Sequence, residues 1–111
     1  MPKRAREYRQ GLLEDLADPN EAAEYLNAAL EDSDEMFLVA LRHVAEAHQM
    51  AKVAHGAGVS RESLYRMLSQ SGNPRFSSFT GILKAIGLRV VFTTAKPEPE
   101  KLDTAPELRR G

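Results

Sequence analysis

The sequence predicts an all-α fold, built as one small domain in a chain of 111 residues. Three observations lead to this class. Apolar residues recur at intervals of three and four in five successive segments. Residues that begin or end helices, such as Asp, Ser and Gly, stand between those segments. Only one stretch, 88–93, is rich in β-branched and aromatic residues, so we expect a single short strand there.

The first two predicted helices begin at capping residues. Asp18 is an N-cap, and Pro19 fits the first helical position, so the first helix covers 19–30. Ser33 caps the next helix, over 33–48. The inward stripe of that helix is Phe37, Leu41, Val44, Ala45 and His48.

Two short helices, 51–57 and 61–70, follow and are separated by a tight turn. Gly58 tolerates the positive φ that the turn needs, and Ser60 caps the second helix. This is the layout of a DNA-binding helix-turn-helix, in which the second helix enters the major groove. A last helix is predicted over 76–86.

The outward face of the helix over 61–70 is basic and polar. Arg side chains can bind guanine through two hydrogen bonds, and Ser can contact bases or phosphates. A generic helical bundle with a polar face is the alternative. The predicted DNA-contacting residues of this region are Ser60, Arg61, Glu62, Ser63, Tyr65, Arg66, Ser69 and Arg75.

The net charge of −1 hides an uneven distribution. Residues 14–41 carry nine acidic residues and no Lys or Arg, whereas residues 42–96 carry eight basic residues and two acidic ones. The basic half suits nucleic acid. The acidic segment suits a basic protein, or is simply a solvated helical surface.

Several classes of function are excluded or not expected. There is no Cys, which excludes disulfides, thiolate catalysis and Cys-based zinc sites. His43, His48 and His55 are the only candidate metal ligands besides carboxylates, and we expect structural or surface roles for them. We expect no enzyme activity, no metal and no cofactor. The absence of Cys makes a reducing cytoplasm the expected compartment. The basic N-terminus is not followed by an apolar stretch, as a secretory signal requires, and no apolar run reaches the roughly 20 residues of a membrane span.

Two strings carry a resemblance to a known family. They are GVSRESLYRMLSQSGNPRFSSFTGILKAIGLRV and, upstream of it, EYLNAALEDSD. Over residues 21–92 the chain resembles the Xre/Cro-type, HigA-like addiction-module antidote (antitoxin) proteins. The resemblance implies a λ-repressor-like five-helix helix-turn-helix domain. It also implies a homodimer that represses its own operon and neutralises a RelE/HigB-type ribonuclease toxin.

The chain departs from the family at the short helix. The family begins this helix with Thr-Gln, where this sequence has Ala51-Lys52. The Gln contacts a phosphate, so the resemblance makes Lys52 a further DNA-contacting residue. Gly56 also weakens the helix, by about 1 kcal/mol relative to Ala.

Two protein interfaces are predicted. The toxin contacts are expected within 8–35, although the same apolar residues could simply pack on the domain. Their anchors are Tyr8, Leu12, Leu13, Leu16 and Tyr25. The strand 88–93 is expected to pair across a dimer two-fold through Leu88, Val90 and Phe92, and so to place two recognition helices about 34 Å apart. Pairing within the chain, with residues 6–12, is the alternative.

The predicted organisation has three parts: an N-terminal arm over 1–17, the helix-turn-helix domain over 18–93 and a disordered tail over 94–111. The arm is a DNA-contacting element or a flexible, solubilising end; its basic residues are Lys3, Arg4, Arg6 and Arg9. Two other functions stay open. One is a phage-type Xre/Cro-like repressor without a toxin partner, and the other is a protein-interaction module.

Overall fold

Helices are the only regular secondary structure in the computed structural model, which describes residues 3–69 and 72–95. The six helices are α1 (Lys3–Leu16), α2 (Pro19–Asp32), α3 (Asp34–Ala47), α4 (Met50–Ala57), α5 (Arg61–Met67) and α6 (Phe76–Ile86). The predicted all-α class is confirmed for this part of the chain. None of the described helices has the length and apolar character needed to cross a bilayer.

The core is formed by apolar side chains from all six helices and from the turn after α5. α2 packs against α3, α4 lies along α6, and α1 rests on α2 and α3. Within the described residues no polar side chain is buried, so burial of apolar surface is the main source of stability. The largest fully buried side chains are Leu41, Leu64, Leu68, Ile82, Val44 and Val53.

The predicted caps of the α2 and α3 helices are confirmed. An Oδ1 atom of Asp18 accepts a hydrogen bond from the Asn20 amide at 2.9 Å. The Oγ atom of Ser33 accepts one from the Met36 amide at 3.0 Å. Each bond satisfies an amide that would otherwise lack a partner in the first turn of its helix.

The α1 helix was not predicted from the sequence, which indicated only the five helices α2 to α6. Its last residue, Leu16, is 2% exposed and joins the core. His48 at the end of α3 donates a hydrogen bond from Nε2 to the carbonyl oxygen of Leu16 at 3.0 Å. Tertiary contacts therefore stabilise α1, although Gly11 lowers its intrinsic helix propensity.

The contact between α4 and α6 depends on small residues. A Cβ atom added at Gly56 would lie 2.8 Å from the Cβ of Ala85, and one added at Gly81 would lie 2.9 Å from the Cα of Ala57. Gly56 costs helix propensity, as expected from the sequence, but it allows the two helices to approach closely.

Three predicted helix boundaries need small corrections. The first predicted helix ends at Asp32, not at residue 30. The short helix begins at Met50, one residue earlier than predicted, with Gln49 as its N-cap. The next helix ends at Met67, not at residue 70. Its end is fixed by Ser69, whose Oγ donates to the carbonyl oxygen of Arg66 at 2.8 Å. Such a bond competes with continuation of the helix.

The strand predicted over 88–93 is not found in the single chain, since residues 88–95 have no regular secondary structure. The alternative pairing with residues 6–12 is wrong, because those residues lie inside α1. A strand needs a neighbouring edge to satisfy its backbone, and the described chain offers none. The part of the predicted tail from residue 96 onward lies outside the described residues.

Candidate functional site

The α4 and α5 helices form a compact pair joined by a tight turn. Gly58 follows α4 in the left-handed conformation, with φ of 73°. The amide of Val59 then donates to the carbonyl oxygen of Ala54 at 3.0 Å. With Val53 and Ala54 buried and Val59 half-buried, the turn holds α5 at a fixed angle to α4.

The α5 helix is strongly amphipathic. Leu64 faces the core, and Leu68, directly after the helix, is buried as well. Arg61, Glu62 and Arg66 are exposed on the opposite side. Ser63, Tyr65 and Ser69, which the sequence placed on the same outward face, are half-buried.

Hydrogen bonds order the first turn of α5. The Oγ of Ser60 accepts from the amide of Ser63 at 3.0 Å, which confirms the predicted N-cap. The same hydroxyl donates to the Oγ of Ser63, also at 3.0 Å. Arg66 extends along this edge and donates from Nη2 to Ser63 Oγ at 3.4 Å.

A shallow groove of about 690 Å³ runs between α5 and the start of α6. Four of the predicted DNA-contacting residues line it: Ser63, Arg66, Ser69 and Arg75. Asn73 and Ser78 also line it and were missed, because nothing in the sequence links them to α5. Hydroxyl, amide and guanidinium groups are the donors that proteins use on phosphates and base edges.

The start of α4 offers a second polar region. Gln49 has a φ of 72°, which is unusual for a residue other than Gly, and its side chain makes no capping hydrogen bond. Lys52 is exposed in the first turn of the helix. Ala51 and Lys52, which the sequence compared with the family's Thr-Gln, are the second and third residues of α4, since the helix begins at Met50.

Tyr65 is flanked by two arginines. The guanidinium carbon of Arg42, on α3, lies 5.5 Å from the centre of the Tyr65 ring. That of Arg61 lies 5.7 Å from the same centre. Both distances fit cation–π contacts. Arg42 was not among the predicted site residues, since only the folded chain brings α3 beside α5.

The predicted toxin anchors differ in their availability. Tyr8 is 74% exposed on α1. Leu12, Leu13 and Tyr25 are half-buried. Leu16 is a core residue and can anchor a partner only if α1 leaves the domain. For Leu16, the structure therefore agrees with the alternative expectation that these apolar residues simply pack on the domain.

Tyr25 takes part in a polar contact on the side of the domain. Its hydroxyl shares a hydrogen bond with Nδ1 of His43 at 2.7 Å. Burial lowers the pKa of His43, and the positive charges of Arg9 and Arg42 lower it further, against an opposing effect of Glu46. Burial also raises the pKa of Tyr25.

The segment after α6 carries the predicted dimer residues. Leu88 is half-buried, whereas Val90 and Phe92 are exposed, Phe92 by 86%. An apolar groove of about 320 Å³ lies between this segment, α2 and α6. An edge-to-face pair of Phe37 and Phe79, with ring centres 6.0 Å apart, contributes to its lining.

No three residues of the His, Asp and Glu types come together as a metal-binding group within 3–69 and 72–95. His43 and His48 each have a hydrogen-bonding partner in the fold, and His55 is exposed on α4.

The described residues together define a small all-helical protein with a basic and polar face on α5. A family model described as probable addiction module antidote protein matches residues 9–94. The chain belongs to this family. Membership implies a cognate toxin as partner and is typical of regulatory proteins.

A relative in Haemophilus influenzae, described as an uncharacterized protein, supports this assignment. It is 43% identical over 77 residues, which cover 68% of this chain and 79% of the relative. No solved structure matches the chain.

Proposed function

We propose that the protein is a DNA-binding antitoxin that represses its own operon and neutralises a RelE/HigB-type ribonuclease toxin. The observation that carries the DNA-binding part is the polarity of α5. This helix buries Leu64 and exposes Arg61 and Arg66 at the surface. Membership of an antidote family supports the toxin-binding part.

In this proposal α2 to α6 form a λ-repressor-like domain, with α4 and α5 as its helix-turn-helix. The end of α5 that Ser60 caps enters the major groove, where Arg61 and Arg66 reach base edges. Lys52 and Arg75 contact phosphates on either side. The remaining predicted contacts are Glu62, Ser63, Tyr65 and Ser69.

Fluorescence anisotropy tests the DNA-binding part. The protein is titrated against a labelled duplex from the region upstream of its own gene and against a shuffled duplex, at several salt concentrations. We expect specific binding whose affinity falls steeply as salt rises. A folded protein that binds neither duplex at low salt would contradict the proposal.

A pair of variants assigns this binding to α5. Replacing Arg66 with Gln is expected to cost about 1–3 kcal/mol of discrimination between the two duplexes, because a two-pronged contact to guanine is lost. The matched control is Lys84→Gln, which changes an exposed basic residue near the C-terminal end of α6. If the Arg66 and Lys84 variants discriminate equally between the two duplexes, Arg66 does not contact bases.

The proposed toxin surface combines α1 with the acidic α2. Exposed carboxylates from α2 and the start of α3 give this side a negative potential that suits a basic, RNA-binding toxin. Tyr8 is the most accessible of the proposed anchors, Leu12 and Tyr25 pack against the core, and Leu13 is half-buried. The acidic residues are Glu21, Glu24, Glu31, Asp32, Asp34 and Glu35.

Co-purification with the product of the neighbouring gene tests the toxin part. We expect Tyr8→Ala to weaken the complex and to leave DNA affinity unchanged. Lys84→Gln, which alters an exposed side chain of α6 outside this surface, is the control. Absence of any complex with the wild-type chain would favour a phage-type repressor without a toxin partner.

We further propose that the protein is a homodimer in which segments 88–93 of two copies pair. This pairing would satisfy the backbone of a segment that has no strand partner in the single chain, and it would cover Val90 and Phe92. Val90→Pro removes one backbone donor and should give a monomer by light scattering. Val90→Ala keeps that donor and should stay dimeric. A dimeric Val90→Pro variant would contradict the symmetric pairing.

A further inference from the structure

Three arginines from three different helices meet beside the start of α5. They are Arg9 on α1, Arg42 on α3 and Arg61 on α5. Arg9 and Arg61 are 52 positions apart in the numbering, so only the fold brings them to one side of the protein. Two residues organise this arginine cluster: Glu46 and Tyr65.

Glu46 holds two of the arginines without balancing the cluster. Its Oε1 accepts a hydrogen bond from Nη2 of Arg9 at 2.8 Å, and its Oε2 lies 3.6 Å from Nε of Arg42. The Glu46 side chain is 15% exposed, whereas those of Arg9 and Arg42 are 54% and 44% exposed. The carboxylate is therefore covered, and the guanidinium groups that cover it face the solvent.

Tyr65 connects this ion pair to α5. The guanidinium groups of Arg42 and Arg61 both lie at cation–π distance from its ring. Stacked guanidinium groups keep their outer N–H donors free for another partner, and less motion is lost when that partner binds. The cluster contains three guanidinium groups and one carboxylate, which contacts Arg9 and Arg42, so the cluster has a net positive charge.

Two of the three arginines, Arg9 and Arg61, line a shallow groove of about 400 Å³, while Arg42 lines a neighbouring one together with Arg9 and Glu46. The residues that line the first of these grooves are Arg9, Glu46, Gln49, Met50, Ala51, Arg61 and Tyr65. The groove therefore joins α1 to the first turn of α4. In helix-turn-helix complexes the first helix of the pair crosses the sugar–phosphate backbone while the second lies in the major groove.

We propose that Arg9 and Arg42 bind phosphates of the DNA backbone, so that the nucleic-acid interface extends beyond α5 to α1 and α3. This inference rests on the proposed function, because it takes α4 and α5 as the helix-turn-helix. It gives α1 a share in DNA binding through a defined side chain. A purely structural role, in which the ion pair with Glu46 only fastens α1 to α3, is the competing explanation.

The salt dependence of DNA binding separates these two roles. Arg9→Gln and Arg42→Gln are compared with wild type and with Lys84→Gln, on the duplex from upstream of the gene and on its shuffled counterpart. Each phosphate contact adds about 0.9 to the slope of log K against log salt concentration. We expect each arginine variant to lose about this much on both duplexes, with the ratio between the duplexes unchanged, because phosphate contacts do not read sequence.

The Glu46→Gln variant tests whether loss of the ion pair, and not loss of an arginine, changes DNA binding. This variant breaks the ion pair but keeps all three arginines, so the salt slope should stay at the wild-type value. Circular dichroism of each variant reports its helix content. A slope that falls equally in Glu46→Gln and Arg9→Gln would show that loss of the ion pair is the cause and would overturn the proposal.

Two further outcomes are distinguishable. If wild type binds DNA but Arg9→Gln and Arg42→Gln keep its slope, the arginine cluster is structural and only this inference fails. If the folded wild-type chain binds neither duplex at low salt, the proposed function fails and this inference fails with it.

Discussion

Gly81 is the position at which one added methyl group tests how closely α4 and α6 pack. A Cβ atom there would lie 2.9 Å from the Cα of Ala57 and 3.4 Å from its Cβ. The nearer atom belongs to the backbone, which cannot rotate away as a flexible side chain can. Gly81→Ala therefore forces α4 to shift, and with it the turn that positions α5.

The expected change in the free energy of unfolding has two opposing parts. Ala is favoured over Gly inside a helix by about 1 kcal/mol. Overpacking a well-packed contact costs about 1–3 kcal/mol. Gly11→Ala is the matched control, since an added Cβ at Gly11 has no neighbouring atom within 4 Å and gains the propensity alone. The difference between the two variants is then the packing cost, about 1–3 kcal/mol.

Urea unfolding followed by circular dichroism measures this difference. We expect Gly11→Ala to be more stable than wild type and Gly81→Ala to be less stable than Gly11→Ala by the packing cost. Thermal unfolding of the same variants gives a second readout, because 1 kcal/mol corresponds to a shift in Tm of about 4–8 °C for a domain of this size. If Gly81→Ala stabilises the protein as much as Gly11→Ala does, the close approach of α4 and α6 is refuted.

Three further predictions concern single side chains. Ser60→Ala should lower the free energy of unfolding by about 1 kcal/mol and Ser60→Gly by only a few tenths, by thermal unfolding; equal costs would speak against capping as the cause. The pKa of His43 is lower in the folded protein than in the unfolded chain, so the unfolded chain binds a proton first as pH falls below about 6.5. The folded state should therefore lose stability below that pH, and the contribution of His43 should be fully present above it. His43→Gln should reduce the fall in Tm between about pH 7.5 and 5.5, and an unchanged fall would exclude His43 as its source. Leu16→Ala should cost about 2–5 kcal/mol in urea unfolding and Tyr8→Ala less than about 0.5; a neutral Leu16→Ala would mean that α1 is not docked.

The sequence predicted α2 to α6 because each of these helices carries its own local signals. Asp18, Ser33 and Ser60 are caps whose hydrogen bonds the structure contains. The α1 helix lacks such a signal and includes Gly11, so its formation depends on contacts with α2 and α3 that no local window contains. The strand over 88–93 was predicted from residue type alone, but pairing requires a partner that residue type does not supply.

The candidate site was predictable only where one helix carries it. Helical spacing placed Arg61, Glu62 and Arg66 on the outward face of α5, and they are exposed there. Arg42 and Arg9 were missed as neighbours of Tyr65 and Glu46 because they come from other helices. The hydrogen bond between Arg9 and Glu46 spans 37 residues, a separation at which only tertiary structure determines the pairing.

The small buried surface of α1 has a consequence for the order in which the helices unfold. Of the described α1 side chains only Leu16 is fully buried. In contrast, α4 and α6 approach closely at small residues and each bury three side chains, which are Met50, Val53, Ala54, Ile82, Leu83 and Ile86. Amide hydrogens of α1 should thus exchange with deuterium through a local detachment that leaves the other helices intact. Those of α4 and α6 should exchange only when the whole domain unfolds. The protein therefore has a hierarchy of opening energies, with its N-terminal helix at the low end.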